Sequence, residues 1–356
     1  MKQISVIVVD DSRLVRELLT EIINADPVLN VVACAEDAYQ ARELIKLHNP
    51  QVITLDVEMP GMNGIAFLKN LMRLRPMPVL MVSTLTARGS DITLEALELG
   101  AVDYVTKPVG DPEHGLQRLA GEIVQKLKAC ARANITAIEH NAKQHQFSEV
   151  RVVKPDPAAV NPFDVIVIGA STGGTEAIKE ILCSLPMGMP PVVLVQHLPP
   201  KFAENFARRL GVITAFQVMA VSEGIVGLQQ NTVYLAGGDW HLEINRCATG
   251  RIGLKVSDTA KVNRHRPSVD VLFNSVAEHV KDRAIGVLLT GMGMDGAAGL
   301  GRMRSAGAYT LAQDKDSCVV WGMPRVAMEQ GAVEEVKPLC EMAGRLVQLC
   351  FGRRSG

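Results

Sequence analysis

The sequence predicts an α/β protein of two doubly wound domains joined by a linker, a flavodoxin-like domain followed by a Rossmann-like one. Three observations predict it. Short apolar runs alternate with amphipathic helical patterns along two long stretches. The alternation fails between about residues 133 and 162. The polar residues able to do chemistry sit just after apolar runs, at the edge where an open parallel sheet presents its ligands.

Length and composition narrow the classes. The 356 residues suffice for two domains, and a hydrophobic content of 47% can bury a sizeable core although only 4% are aromatic. A net charge of −1 supplies no field for nucleic acid or an anionic membrane. No apolar run is long enough for membrane insertion, and Met1-Lys2-Gln3 opens straight into a strand instead of a signal peptide. The seven cysteines are scattered and lack C-x-x-C pairs, which argues against zinc or a disulfide framework and for a cytoplasmic location.

The first domain is expected over residues 1–133. Apolar runs at 4–9, 31–33, 52–55, 79–82 and 103–105 read as strands, and periodic faces such as Leu14/Leu18/Leu19/Ile22 and Leu116/Leu119/Ile123/Leu127 read as helices. That is five βα units. Asp10 and Asp11 end the first strand, Asp56 the third and Ser83 the fourth, and Lys107 follows the fifth. Three carboxylates converging at one edge repel one another unless a hard divalent cation sits among them. Mg²⁺ with a nearby lysine also suits phosphoryl transfer. The blander reading makes Asp10 and Asp11 helix caps and Lys107 surface decoration.

The segment 134–162 is polar and then proline-broken, at Lys154-Pro-Asp-Pro157 and Asn161-Pro162, and reads as a tether. His140 and His145 within it are assigned no site.

The second domain is expected over residues 163–350. Strands are predicted at 165–168, 192–195, 218–221, 233–236, 285–290 and 309–312, with an antiparallel part near 237–256 that implies a mixed sheet. Gly169-Ala-Ser171-Thr-Gly173 fits the strand-turn-helix pattern G-x-S-x-G that projects a serine hydroxyl, and equally fits a phosphate or dinucleotide loop. His197 follows a strand directly, with Leu198-Pro-Pro200 stopping the chain from continuing as a helix. Asp295 lies in a glycine-rich turn, Thr290-Gly-Met-Gly-Met-Asp-Gly296. A serine needs a base to accept its proton, and the base needs a carboxylate to orient it. His241 and His265 are rival bases, and Asp295 could equally be a plain helix N-cap.

These residues carry resemblances. Asp10-Asp11, Leu55-Asp-Val-Glu-Met-Pro-Gly-Met-Asn-Gly64, Ser83-Thr84 and Thr106-Lys-Pro108 resemble a response-regulator receiver domain. The resemblance implies that Asp56 accepts a phosphoryl group from a chemotaxis histidine kinase. It also implies that Asp10, Asp11, Asp56 and the Glu58 backbone carbonyl hold Mg²⁺, that Lys107 contacts the phosphoryl group, and that Ser83 and Tyr104 form the switch pair. Asn63 stands where many relatives have Asp.

The second resemblance rests on Ile168-Gly-Ala-Ser-Thr-Gly-Gly-Thr175, Val195-Gln-His-Leu-Pro199, Tyr234-Leu-Ala-Gly-Gly-Asp239, His265-Arg-Pro-Ser-Val-Asp-Val-Leu-Phe273 and Leu289-Thr-Gly-Met-Gly-Met-Asp-Gly296. Together they are similar to the CheB-type protein-glutamate methylesterase domain. By that resemblance Ser171 is the nucleophile, His197 the general base and acid, and Asp295 the orienting acid. Thr172 and Met292 line the site near the oxyanion donors, and no cofactor is needed in this domain. The substrates implied are γ-glutamyl methyl esters of methyl-accepting chemoreceptors, with release of methanol, and some relatives also deamidate receptor glutamines. An unmodified receiver is expected to restrain the enzyme and a phosphorylated one to release it. Gly237-Gly238 replaces a frequent Pro-Gly, which bears on the rim and on no triad member.

The rival from another class is a receiver fused to a non-enzymatic nucleotide- or protein-binding module, in which the glycine loop cradles phosphate. Against it, no acidic residue suited to a ribose follows the next strand, and no Lys-Ser/Thr pair follows the glycines.

Overall fold

The computed structural model describes residues 3–84, 87–107, 112–138, 161–246 and 250–352. The chain divides into two compact units, residues 1–144 and 145–356.

In the first unit, β1 (Ile4–Val9), β2 (Leu29–Ala35), β3 (Val52–Asp56), β4 (Val79–Thr84) and β5 (Asp103–Lys107) alternate with α1 (Arg13–Asn24), α2 (Ala38–His48), α3 (Gly64–Leu74), α4 (Ala87–Glu98) and α5 (Pro112–Cys130). All neighbouring strands run parallel in the order β2-β1-β3-β4-β5. The inner strand β3 is buried at every position, the pattern of a sheet covered on both faces. Helices begin where the chain offers an oxygen to an unpaired amide. Ser12 accepts from Val15 N, Asp37 from Gln40 N and Asn63 from Ala66 N. A helical turn at 135–138 buries Ala137 and Ile138. Beyond it, residues 139–160 of the predicted tether, His140 and His145 included, lie outside the described residues.

The second unit is built on a seven-stranded sheet, entirely parallel, in the order β15-β14-β13-β6-β7-β10-β8. Its strands are β6 (Val165–Ala170), β7 (Val192–Gln196), β8 (Gln217–Val221), β10 (Thr232–Ala236), β13 (Ala284–Leu288), β14 (Tyr309–Gln313) and β15 (Glu335–Lys337). Its helices are α6 (Gly174–Ser184), α7 (Pro200–Ile213), α8 (Val269–His279), α9 (Ala297–Ser305), α10 (Met323–Glu329) and α11 (Leu339–Phe351). β6, β7, β10 and β13 are buried throughout. Each valine or isoleucine in them contributes about 1.5–3 kcal/mol by leaving water. From β6 the chain winds outward through β7, then returns to the other side of β6 at β13. The crevice opens at that reversal.

Two expectations need correction. The antiparallel part does not join the main sheet. β9 (Ile225–Gly227), β11 (His241–Arg246) and β12 (Ile252–Ser257) form a separate three-stranded sheet in the order β11-β12-β9. It packs Leu242, Ile244 and Leu254 against the core, so its apolar face is satisfied without parallel partners. The strand predicted at 285–290 ends at Leu288, where the amides turn to Gly169 O and the Gln313 side chain. After His197 the chain does not continue as a helix, as expected: residues 197–199 are non-helical, and Pro200 is the first residue of α7, a place where its missing N–H costs nothing. Among the described residues no helix is long and apolar enough to cross a membrane, and the described cysteines are free thiols.

Candidate active site

Ser171, His197 and Asp295 leave the carboxyl ends of three adjacent strands, β6, β7 and β13. Ser171 follows β6 on a tight turn. Gly173, at φ 75°, carries the chain into α6, and any Cβ there would stand 2.6 Å from Val319 Cβ. The Ser171 amide donates to Thr290 O at 3.0 Å, and its carbonyl accepts from Gln196 Nε2 at 2.9 Å. The serine backbone is thereby tied to both neighbouring strand ends. Gly291 sits so close that a Cβ on it would lie 2.7 Å from Ser171 Cβ and 2.4 Å from Met323 Sδ.

The three side chains meet. His197 Nδ1 is 3.1 Å from Ser171 Oγ, and His197 Nε2 is 2.8 Å from Asp295 Oδ2. The nitrogen facing the serine is Nδ1 and the one facing the acid is Nε2, the reverse of the serine-protease arrangement. For Nδ1 to accept the serine proton, Nε2–H must donate to Asp295.

Asp295 is held from several sides. Oδ2 accepts from Val269 N at 2.7 Å, and Oδ1 accepts from Ser268 Oγ at 2.7 Å, Asn263 Nδ2 at 2.9 Å and Asp270 N at 3.2 Å. The expectation that Asp295 is either triad acid or helix cap resolves in an unexpected way. It caps a helix, but that helix is α8, not the α9 that follows it in the chain; Gly296 stands at the N-cap of α9. Burial opposes ionisation of this carboxyl, yet the hydrogen bonds and charge of His197, with those of Asn263 and Ser268, hold it well below the usual carboxylate range. The positive end of α8 favours the same charged form.

The two rival histidines part company. His241 is fully buried, with Nε2 3.1 Å from Ala260 O and Nδ1 accepting from Ser268 N at 3.2 Å, so both ring nitrogens are engaged by the backbone. His265 stacks on the His197 ring. Thr172 is buried beside the serine and its carbonyl accepts from Thr290 Oγ1 at 3.0 Å. Met292 is half-buried in the loop after β13, and Met294 is exposed.

Sequence reasoning missed Asn263, Ser268, Thr290 and Gln196. Three of these lie in motif stretches read for other residues. Ser268 belongs to the His265–Phe273 run, Thr290 to the Leu289–Gly296 run, and Gln196 immediately precedes His197.

The first unit gathers a second set. Lys107 Nζ lies 2.7 Å from Asp10 Oδ2 and 2.8 Å from Asp56 Oδ2, and oxygens of Asp10, Asp11 and Asp56 lie within 4.8 Å of one another. Burial, opposed by Lys107 and aided by Asp10, pushes the Asp56 carboxyl up to about 6. Val57 N donates to Asp56 Oδ1 at 2.7 Å, and the Glu58 amide also bonds this carboxylate. Ser83 is buried with no partner for its hydroxyl among the described residues. Tyr104 is buried, with Lys126 Nζ 4.9 Å from its ring centroid.

Among known proteins, a family profile described as CheB methylesterase matches residues 166–346, and one described as a response regulator receiver domain matches residues 6–120. A protein-glutamate methylesterase/protein-glutamine glutaminase 2 of Saccharophagus degradans is 49% identical over 348 residues, covering 98% of this chain and 99% of its own. A protein-glutamate methylesterase/protein-glutamine glutaminase of Paraburkholderia xenovorans is 50% identical over 354 residues, covering 98% and 96%. The crystal structure of the Thermotoga maritima CheB methylesterase catalytic domain is 35% identical and covers 52% of this chain and 98% of its own, with a TM-score of 0.51.

Proposed function

The chain belongs to the CheB methylesterase family and carries a response-regulator receiver domain ahead of the catalytic one, and from that premise we propose how it works. It hydrolyses protein γ-glutamyl methyl esters to glutamate and methanol, and glutaminyl amides to glutamate and ammonia, under the control of phosphorylation. The substrates are methyl-accepting chemoreceptors, the phosphodonor is a chemotaxis histidine kinase, and the work is done in the cytoplasm. The receiver spans residues 1–133, a tether 134–162 and the catalytic domain 163–350.

The observation that carries the reading is the continuous relay from Ser171 Oγ through His197 to Asp295. Ser171 Oγ attacks the ester carbonyl while His197 Nδ1 takes its proton. Asp295 stabilises the imidazolium through Nε2–H and holds the ring in place. Backbone amides about Thr172 and Met292 receive the developing oxyanion, a role commonly worth several kcal/mol. As the tetrahedral intermediate collapses, His197 returns the proton to the leaving methoxide and methanol departs. The γ-glutamyl-serine ester is then attacked by water, with His197 again as base, and the carboxylate is released. With glutamine, ammonia leaves in place of methanol.

In the receiver, Asp10, Asp11 and Asp56 offer a cluster of hard oxygen ligands with excess negative charge, a donor set that fits Mg²⁺. With the Glu58 carbonyl they would hold the ion, which supplies charge neutralisation at the phosphoryl oxygens. Asp56 accepts the phosphoryl group and Lys107 pairs with it. The buried Ser83 hydroxyl, lacking an acceptor or donor among the described residues, supports its assignment as the group that turns to the phosphoryl oxygen, with Tyr104 moving as its partner.

The test is methanol release from methylated receptor, with and without a small-molecule phosphodonor. Ser171→Ala is expected to abolish release while leaving Asp56 phosphorylation intact; retained release would remove Ser171 from the mechanism.

A further inference from the structure

We propose that Asn263 is a positioning residue for the His197–Asp295 pair, acting from a strained turn beside it. The proposal rests on the reading of Ser171, His197 and Asp295 as the triad and deepens it. Val262 and His265 exchange both backbone hydrogen bonds, Val262 N to His265 O at 3.1 Å and His265 N to Val262 O at 2.9 Å. They close a two-residue turn in which Asn263 has φ 51° and Arg264 φ 70°. Two successive left-handed residues suit a tight turn, but the second position favours glycine, so arginine there is strained. Strain persists where the surroundings enforce it. Here Asn263 Nδ2 does so, donating to Asp295 Oδ1 at 2.9 Å and to Asp270 Oδ2 at 2.7 Å.

The side-chain amide of Asn263 thus bridges two carboxylates that would otherwise repel each other. Asp270 is in turn anchored by Gly299 N at 2.6 Å, in the first turn of α9. Asn263 binds the Asp295 oxygen that faces away from His197, which fixes the carboxylate plane and leaves Oδ2 aimed at Nε2. The same turn delivers His265 onto the opposite partner, the His197 ring. One short loop thus fixes both halves of the pair.

Asn263→Gly keeps the backbone at ease with φ 51° and removes only the side-chain donor. Asn263→Asp keeps the shape and replaces the donor by an acceptor. Both variants of the full chain are assayed for methanol release and for the rate of Ser171 labelling by a serine-directed phosphonate, each normalised to the folded fraction from near-UV circular dichroism. We expect kcat to fall roughly 10- to 100-fold, with KM within about twofold and labelling slowed in parallel, as misaligned catalytic groups do. Wild-type kcat and labelling in Asn263→Gly, or a loss fully accounted for by unfolded protein, would overturn the assignment. Ser171→Ala is run alongside. If it still hydrolyses ester, the triad reading fails and takes this proposal with it. If it is inactive while Asn263→Gly is unimpaired, only the role of Asn263 is lost.

Discussion

The imidazole of His197 lies flat on that of His265, with ring centroids 3.7 Å apart and planes 6° from parallel. Stacking at this distance confines the His197 ring to one plane, and an imidazolium formed there in the proposed mechanism would place a cation over a π-face. His265→Phe retains a flat ring and is expected to stay within about threefold of wild-type kcat, whereas His265→Ala should lose roughly tenfold, given about 0.5–2 kcal/mol for such a contact. Steady-state ester hydrolysis separates the two. Equal activity in both variants would show that the stack does not matter.

As the acid of the proposed triad, Asp295 would join catalysis to stability. Asp295→Asn leaves a group of similar size but lets the His197 tautomer change, and kcat should fall about 10³- to 10⁴-fold, as for a comparable acid in serine proteases. Because its folded-state carboxyl titrates below the ordinary value of 3.8, Asp295 adds stability that is complete above that value and fades as pH falls beneath it. Melting curves from about pH 6 down to about pH 2.5 should therefore drop less steeply for Asp295→Asn than for wild type.

Asp56 has the opposite sign. Its folded-state carboxyl is raised to about 6, so at the proposed Mg²⁺ site the proton would compete with the ion below that pH. Mg²⁺ should raise the melting temperature at about pH 7.5, and its apparent affinity should weaken by roughly tenfold per unit once pH falls below about 6. Asp56→Asn should abolish stimulation of methanol release by a phosphodonor. Stimulation equal to wild type in that variant would defeat the regulatory reading.

Gly291 is a steric test of the serine turn. A Cβ there would collide with Ser171 Cβ and Met323 Sδ, and overpacking of this kind costs about 1–3 kcal/mol. Gly291→Ala is expected to lower both the denaturation midpoint and kcat. Unchanged kinetics would mean that the loop after β13 yields without moving the serine.

Much of this site can be read along the chain because buried parallel strands leave unbroken apolar runs, and the residues just after each run stand at the ligand edge. Ser171, His197, Asp295, Asp10 and Asp56 all lie beyond or at the end of such a run. Asn263 does not. It lies in a polar stretch, its target is 32 residues away, and its turn carries arginine where a hairpin signal would call for glycine. The separate antiparallel sheet was hidden for a related reason. β9 has only three residues, two of them exposed, so neither length nor alternation marks it as a strand. The capping of α8 by Asp295 is a tertiary contact that no local pattern records.

The sheet order has a consequence for biosynthesis. Ser171 and His197 are 26 residues apart, but Asp295 follows His197 by a further 98. At the usual pace of translation, about 5–20 residues per second, the acid leaves the ribosome roughly 5–20 s after the histidine. β13 must then insert beside β6 before the relay exists. On the proposed mechanism a nascent chain therefore carries its serine and imidazole for that interval without the acid that orients them, and hydrolysis at the full rate waits until β13 and the loop after it are in place.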